Sequence, residues 1–280
     1  MTDGSGVSNR AVAERVEAWA WVAPEPIPNL TDSAPAEPEP QVQHTRFDLN
    51  EHWQRGGFRA SLFAPTEEAS QTFLDNLIAN DLVVVPAVTR RGVPIDAGRL
   101  LRTYARHNGL SLETLRESLG YDTVSFYELV DHFCASDLIF RLPCLPDKAR
   151  PDIYYFCDTG VLHRLFNPKW EQLGRGRKNF ARSWEGFVIR TICQRYGTEA
   201  EVFVWRESDQ HEIDLVLRWP NGECWAIEIG LGENKKPSEG FKVGVRKLGA
   251  TELTIIHRGM IGLIDGCDRM TLEELLTVRP

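Results

Sequence analysis

The sequence predicts an α/β protein, of the α+β kind, with a helical first part and a mixed sheet in its second part. Three observations carry that prediction. Apolar residues recur at one-turn spacing through residues 66–84 and 122–135. The stretch HEIDLVLRWPNGECWAIEIG (211–230) reads as two alternating apolar strands around a tight turn. After residue 184 the patterns run helix, strand, strand, strand, helix, strand, the order of an α/β unit with a mixed sheet.

A length of 280 residues suits one large domain or two small ones. No run approaches the roughly 18 apolar residues of a membrane span; the longest candidate, LVVVPAV (82–88), is far too short. MTDGSGVSNR at the N-terminus has no apolar signal core. The six cysteines (Cys134, Cys144, Cys157, Cys193, Cys224, Cys267) lack any C-x-x-C spacing. The expectation is therefore a cytoplasmic protein with reduced thiols, no zinc site, no disulfide frame and no membrane contact. The net charge of −8 is unevenly spread. Residues 1–50 hold eight acidic and three basic side chains, whereas residues 141–190 hold ten basic and five acidic ones. An acidic total thus leaves room for a basic face that meets phosphates.

Three regions follow in chain order. Residues 1–45 read as an acidic, proline-rich tail. NRAVAERVEAWAWV (9–22) has the spacing of a short amphipathic helix through Val12, Val16 and Trp19. APEPIPNLTDSAPAEPEP (23–40) holds six prolines and four acids, a composition that cannot bury enough surface to fold alone. A flexible extension and a docking helix for a protein partner both fit this tail. Residues 46–165 form the helical part. EHWQRGGFRASLFA (51–64) is helical but broken at Gly56-Gly57, and residues 66–84 make one helix begun by Thr66. A basic segment follows, with Arg90, Arg91, Arg99, Arg102 and Arg106.

Ser111 fits the N-cap of a short helix through Leu119, and Gly120 fits its stop. A second helix over 122–135 places Val124, Tyr127, Val130 and Phe133 on one side. Strands over 138–142 and 151–158 complete the pattern of a winged helix-turn-helix. Its outward face would be Asp122, Ser125, Glu128 and Asp131, an acidic surface poorly suited to a phosphate backbone. Residues 166–280 form the third region. WEGFVIRTICQRYG (184–197) is helical, and VFVW (202–205), the hairpin, FKVGVRKLGA (241–250, helix or turn), ELTIIH (252–257) and the capped helix TLEELL (271–276) follow.

In the hairpin, a three-residue loop Pro220-Asn221-Gly222 with Gly222 left-handed sets Asp214 opposite Glu228. Ile213, Leu215, Leu217, Trp219, Trp225, Ile227 and Ile229 then share one face. Asp214, Val216, Arg218, Cys224, Ala226 and Glu228 share the other. A two-residue turn at Asn221-Gly222 would split the carboxylates between faces. Two adjacent carboxylates in a sheet require a cation. Mg²⁺ suits their hard oxygens, with Glu185 on the preceding helix as a third ligand, and would activate water at a phosphate. Ion pairs with Arg206, Arg218 or a lysine are the structural alternative.

These residues resemble the PD-(D/E)XK nuclease superfamily, which has a restriction-endonuclease-like fold. Its helix glutamate corresponds to Glu185, its strand aspartate to Asp214 and its Glu-x-Lys to Glu228-Ile229-Gly230. The wider run is similar to the C-terminal half of a prokaryotic AAA+ ATPase family of unknown function. The motifs that carry this are WQRGG, DIYYFCDTGVLHRLF (152–166), WEGFVIR, HEIDLVL, AIEIG and KKPSEGF, in family order over about residues 47–280. Two departures stand out. No G-x-x-x-x-G-K-[ST] occurs, so ATP hydrolysis is not expected. The expected lysine is Gly230, and losing such electrostatic help costs on the order of 10²–10³ in rate.

Lys235, Lys236 and Lys242 are the candidates for a relocated amine, with Lys242 the best placed by sequence. The expected site is thus Glu185, Asp214, Glu228 and Lys242, with Mg²⁺ held by the three carboxylates. Three functions remain open. The leading one is a winged-helix and degenerate nuclease-fold protein that binds a macromolecular partner such as DNA, with impaired or absent cleavage. The others are an active Mg²⁺-dependent DNA endonuclease, and a regulatory interaction module of a split ATPase system.

Overall fold

The computed structural model describes residues 48–82, 96–145, 150–166, 177–208, 210–259 and 262–278. The expected tail over 1–45, its helix, and Arg90 and Arg91 lie outside the described residues. In the first part, α1 (Leu49–Arg55) begins at Asp48, whose carboxylate accepts the Asn50 N–H at 2.8 Å, and stops at Gly56 with φ 78°. After α2 (Arg59–Leu62), α3 (Glu67–Leu77) starts on the Thr66 hydroxyl, as expected, and widens into a π-turn over Ile78–Leu82. Then α4 (Ala97–Arg106) is capped by Asp96, α5 (Glu113–Leu119) ends on left-handed Gly120, and α6 (Thr123–Ala135) is capped by Asp122. Ser111 does not cap α5; Leu112 holds that position without a side-chain bond.

The inward face of α6 also differs from expectation. Phe126, Leu129, Val130 and Phe133 are buried, Ser125 is buried with them, and Val124 is half exposed. Turning the helix this way buries one more phenylalanine in place of a valine, which hides more apolar surface. A two-stranded antiparallel sheet follows, β1 (Ile139–Leu142) against β3 (Ile153–Phe156), from Ile139↔Phe156 to Leu142↔Ile153. Helix, left-handed glycine, helix and a two-stranded antiparallel pair thus follow one another along the chain.

Between these two strands, β2 (Cys144–Leu145) leaves the hairpin and pairs with the large sheet. That sheet also contains β4 (Glu201–Ser208), β5 (His211–Arg218), β6 (Cys224–Ile229), β7 (Glu252–Ile256), β8 (Gly262–Ile264) and β9 (Cys267–Met270). Their order across the sheet is β2-β4-β5-β6-β7-β9-β8, with mixed parallel and antiparallel pairs. One face meets α8 (Arg177–Tyr196) and α10 (Leu272–Val278) in a core of Trp184, Val188, Leu215, Trp225, Ile227 and Leu275. The other meets α9 (Glu239–Leu248) around Phe203, Trp205, Val216 and Phe241. The sequence division at 165/166 does not separate these cores. Leu49, Trp53, Leu142, Ile153 and Tyr155 belong to the same cluster as Leu215 and Trp225.

Two motifs of the first part bind each other. Asp158, just before α7 (Thr159–Phe166), accepts the Gly57 N–H at 2.7 Å and the Val161 N–H at 2.8 Å. A Cβ on Gly56 would lie 2.2 Å from the Asp158 carboxylate, and one on Gly160 would lie 2.2 Å from the Arg55 carbonyl. The glycines are there because two backbones and one carboxylate share this space. Nearby, the Trp53 indole N–H donates to Ser183 Oγ at 3.0 Å, and His163 Nε2 lies 2.6 Å from the same oxygen. Together these contacts hold α1 and α7 against α8.

Gly160→Ala is expected to cost more than about 2 kcal/mol, because the obstructing atom is backbone. Gly232→Ala, with nothing within 4 Å of its added Cβ, should leave the melting temperature almost unchanged. Burial lifts the Asp158 carboxyl to about 6 against the pull of its amide donors. In the unfolded chain it ionises near 4, so its contribution is whole below about pH 4 and lost as pH rises through about 6. Denaturant titrations of wild type and Asp158→Asn should show the wild-type advantage shrinking by about 2–3 kcal/mol between pH 4 and 7.

Candidate functional site

Strands β5 and β6 pair from Arg218↔Cys224 to Leu215↔Ile227, and the Trp219 N–H donates to the Glu223 carbonyl at 2.9 Å. This is the three-residue loop with Gly222 left-handed, at φ 91°. The Asn221 side chain accepts the Glu223 N–H at 3.0 Å and fixes the turn. Continued one step, the register sets Asp214 beside Glu228.

The shared face expected for the two carboxylates is not how they meet. Against β4 the register shifts between Phe203 and Trp205, so Asp214 and Leu215 together oppose Val204. The bulge reverses the alternation before it. Ile213 therefore leaves the Leu215–Leu217 side and packs with Val216, Trp205 and Phe241. At the reversal Asp214 turns toward β6, and its Oδ2 accepts the Ile229 N–H at 2.7 Å.

A cavity of about 630 Å³ opens at this end of the sheet, lined by Glu185, Glu212, Asp214, Trp184 and the loop from Ile229 through Lys235. Glu228 lies behind this wall and is only 4% exposed. Its Oε1 is 2.8 Å from Lys235 Nζ, and its Oε2 accepts from the Ser238 hydroxyl at 3.3 Å. The lysine stem crosses the empty side of Gly230. A Cβ there would meet Lys235 Cγ at 2.6 Å and Cβ at 2.8 Å. Lys235 thus fills the space a side chain on residue 230 would need.

Lys242 does not reach the carboxylates. It is half-exposed on α9 and pairs with Glu239 at 3.1 Å and Asp265 at 3.2 Å. The helix carries it outward, whereas the loop after β6 turns Lys235 back over the strand end. Lys236 is exposed. Of the arginines weighed as counter-ions, Arg206 pairs with Glu212 at 2.7 Å and Arg218 with Glu201 at 3.5 Å, neither with Asp214 or Glu228.

Glu185 Oε1 accepts a hydrogen bond from the Tyr155 hydroxyl at 2.5 Å. Burial raises the Glu185 carboxyl, with Tyr155 opposing and Glu212 reinforcing. Asp214 is held well above the usual carboxylate range by burial, then by Glu185 and Glu228, against the pull of Lys235. Burial works against the Lys235 charge, yet Glu228, Asp214 and Glu185 together keep its ammonium above the ordinary lysine value. Glu185, Asp214, Glu228 and Lys235 therefore act on one another, while Glu212, Arg182 and Arg206 act on Glu185 from the edge of the group.

Among the described residues, no three His, Cys, Asp or Glu side chains converge closely enough to form a preformed metal cage. The expectation of three ligating carboxylates is not met in that form, because Tyr155, the Ile229 amide and Lys235 each engage one of them. Mg²⁺ commonly takes only one or two protein carboxylates and completes its shell with water and phosphate. The hard, cation-poor donors of Asp214 and Glu185 on the cavity wall fit that habit.

Sequence reading missed Tyr155, Glu212 and Ser238. Tyr155 comes from β3 and gave no local signal, whereas the alternation of Glu212 with Asp214 at a strand end could have suggested the former. Lys235→Met keeps the stem over Gly230 but removes the ammonium. With Lys235 about a third exposed, the expected cost at neutral pH is about 1–3 kcal/mol. The raised acids make that cost grow as pH climbs above the ordinary carboxylate range and fade below it, which denaturant titration at several pH values would read.

Residues 180–262 match the family described as a domain of unknown function (DUF4143), and the match includes Glu185, Asp214, Glu228, Gly230 and Lys235. An uncharacterized protein of Mycobacterium tuberculosis and one of Mycobacterium bovis are each 24% identical over 217 residues. These alignments cover 74% of this chain and 48% of each relative, so the chain spans about half the length of the curated relatives it matches. No solved structure matches.

Proposed function

We propose that the chain is a Mg²⁺-dependent DNA nuclease in which Lys235 replaces the lysine absent at position 230. One observation carries the reading: the Lys235 ammonium lies 2.8 Å from Glu228 while its stem fills the space beside Gly230. An amine supplied from a neighbouring loop meets the chemical need as well as one from the strand, provided it arrives at the same place. Asp214, with Glu185 beside it on the cavity wall, would hold the ion. Bound there, Mg²⁺ supplies Lewis-acid stabilisation of a phosphate and a more acidic water.

The chain's own groups do the rest. Lys235 stabilises negative charge that develops on the phosphate oxygens. Glu228 keeps that lysine protonated and in place. Tyr155 fixes Glu185, and the Ile229 amide fixes Asp214. The raised acids give up their protons when a cation arrives, so ion binding should release protons and tighten as pH rises.

A second reading, DNA binding with little or no cleavage, is favoured by the burial of Glu228 behind Lys235, which withdraws it from the cavity wall. Incubation of the full chain with supercoiled plasmid and Mg²⁺ or Mn²⁺ separates the two. The nuclease reading expects nicking that falls on the order of 10²–10³ in Lys235→Met and at least as far in Asp214→Asn. Wild-type protein that leaves the plasmid intact, or variants that nick it as well as wild type, would overturn the nuclease reading, and retained binding of the plasmid without nicking would support the second.

A further inference from the structure

Helix α4 carries Arg99, Arg102 and Arg106 on the side opposite its buried residues Leu100, Leu101, Tyr104 and Ala105. At 100° per residue the three arginines fall within about 60° of one another around the axis. They stand about 4.5 and 6 Å apart along it. All three are exposed, and none makes an ion pair or side-chain hydrogen bond with a described residue.

Several other arginines of the protein are neutralised within the fold. Arg55 pairs with Glu51 and Glu67, Arg141 with Asp152, Arg164 with Asp75, Arg206 with Glu212 and Arg218 with Glu201. On α4, by contrast, three exposed guanidinium groups in a row have no carboxylate partner among the described residues.

The stripe runs toward the cavity. Just past its C-terminal end, the Asn108 side-chain amide donates to the Arg182 carbonyl at 3.3 Å. A Cβ on Gly109 would lie 3.0 Å from the Tyr155 ring and 3.4 Å from Arg182 Cγ. Arg182 stands one turn before Glu185 on α8, beside Ala181, which lines the cavity. Lys178, a turn earlier, is exposed. The helix usually placed to read DNA in such a unit, α6, turns Asp131 to solvent and Glu128 partly so.

Resting on the nuclease reading above, we infer that duplex DNA binds this protein through its sugar-phosphate backbone along α4, with Arg99, Arg102, Arg106 and then Arg182 leading one strand toward the cavity. The contacts are to phosphate, so they position the duplex and carry no sequence preference. Helix α6 faces away from the nucleic acid.

The test is fluorescence anisotropy of the full chain with a labelled duplex of about 30 base pairs, in EDTA, over a range of salt. Replacing all three α4 arginines by glutamine should flatten the slope of log K against log salt by about 3 and weaken binding on the order of 10² at 0.1 M salt. The triple lysine variant should keep the wild-type slope, since phosphate contacts need charge rather than fork geometry. Asp131→Gln on α6 should not weaken binding. An unchanged slope in the glutamine variant overturns the inference, as does absence of binding by wild type at low salt. Displacement of the duplex by polyglutamate as effective as by unlabelled DNA also overturns it, pointing to an acidic polypeptide. Because binding is read in EDTA, loss of plasmid nicking with this slope intact counts against the nuclease reading alone.

Discussion

Because strand β3 is buried on both faces, its four side chains tie two hydrophobic cores into one body. Ile153 and Tyr155 enter the core between the large sheet and α8, while Tyr154 and Phe156 enter the helical core with Tyr104, Leu129 and Val161. This strand pair is therefore an internal partition between the two cores. The Tyr155 hydroxyl ends on Glu185, so the position of a cavity carboxylate is set by a residue of the helical part. Opposite it, the Asp158 contact with the Gly56-Gly57 turn and the Trp53–Ser183 hydrogen bond hold α1 and α7 on the same helix. Glu185 is thus positioned from two sides by the fold itself.

The chemistry of the site follows from an imbalance of charge. Glu185, Asp214 and Glu228 gather around the Lys235 ammonium, with Arg182 and Arg206 acting on Glu185 alone of the three, in surroundings that water does not fully reach. Such a group of acids either holds protons or attracts a cation, and both outcomes lower the same electrostatic cost. Arg206 acts on Glu185 from a distance, but its direct partner is Glu212, and Arg218 is engaged by Glu201. The excess of negative charge is therefore built into the pairing of the sheet and is not a by-product of loose side chains.

Much of this was legible in the sequence. Alternation on both sides of Pro220-Asn221-Gly222 fixed the hairpin register, because a slip of one residue would have sent every apolar side chain to the wrong face. Thr66 and Gly120 marked helix ends through their own local chemistry. What could not be read depends on partners remote in the chain. The bulge at Asp214 exists only relative to β4, so Ile213 was assigned to the wrong face. Lys235 returns from a loop whose path no periodicity encodes, and Lys242 looked better because a helix position is easier to foresee than a loop. The strand pair β8–β9 had an Asp265-Gly266 turn signal, with both residues at positive φ, but strands of three and four residues were too short to show alternation. On α6, the choice between Val124 and Phe126 as the inward residue needed the size of the facing core.

The attachment of α1 also bears on how the chain reaches its native state. Trp53 meets Ser183 across 130 residues, and Asn50 meets Arg258 across 208. During synthesis at the ribosome, the α1 surface that contains Trp53 emerges long before its docking site, and must wait as an exposed apolar patch. Contacts of such sequence separation form late and slow folding. A nascent chain of this kind is a natural client for chaperones, and stalling of translation before α8 should leave it prone to self-association.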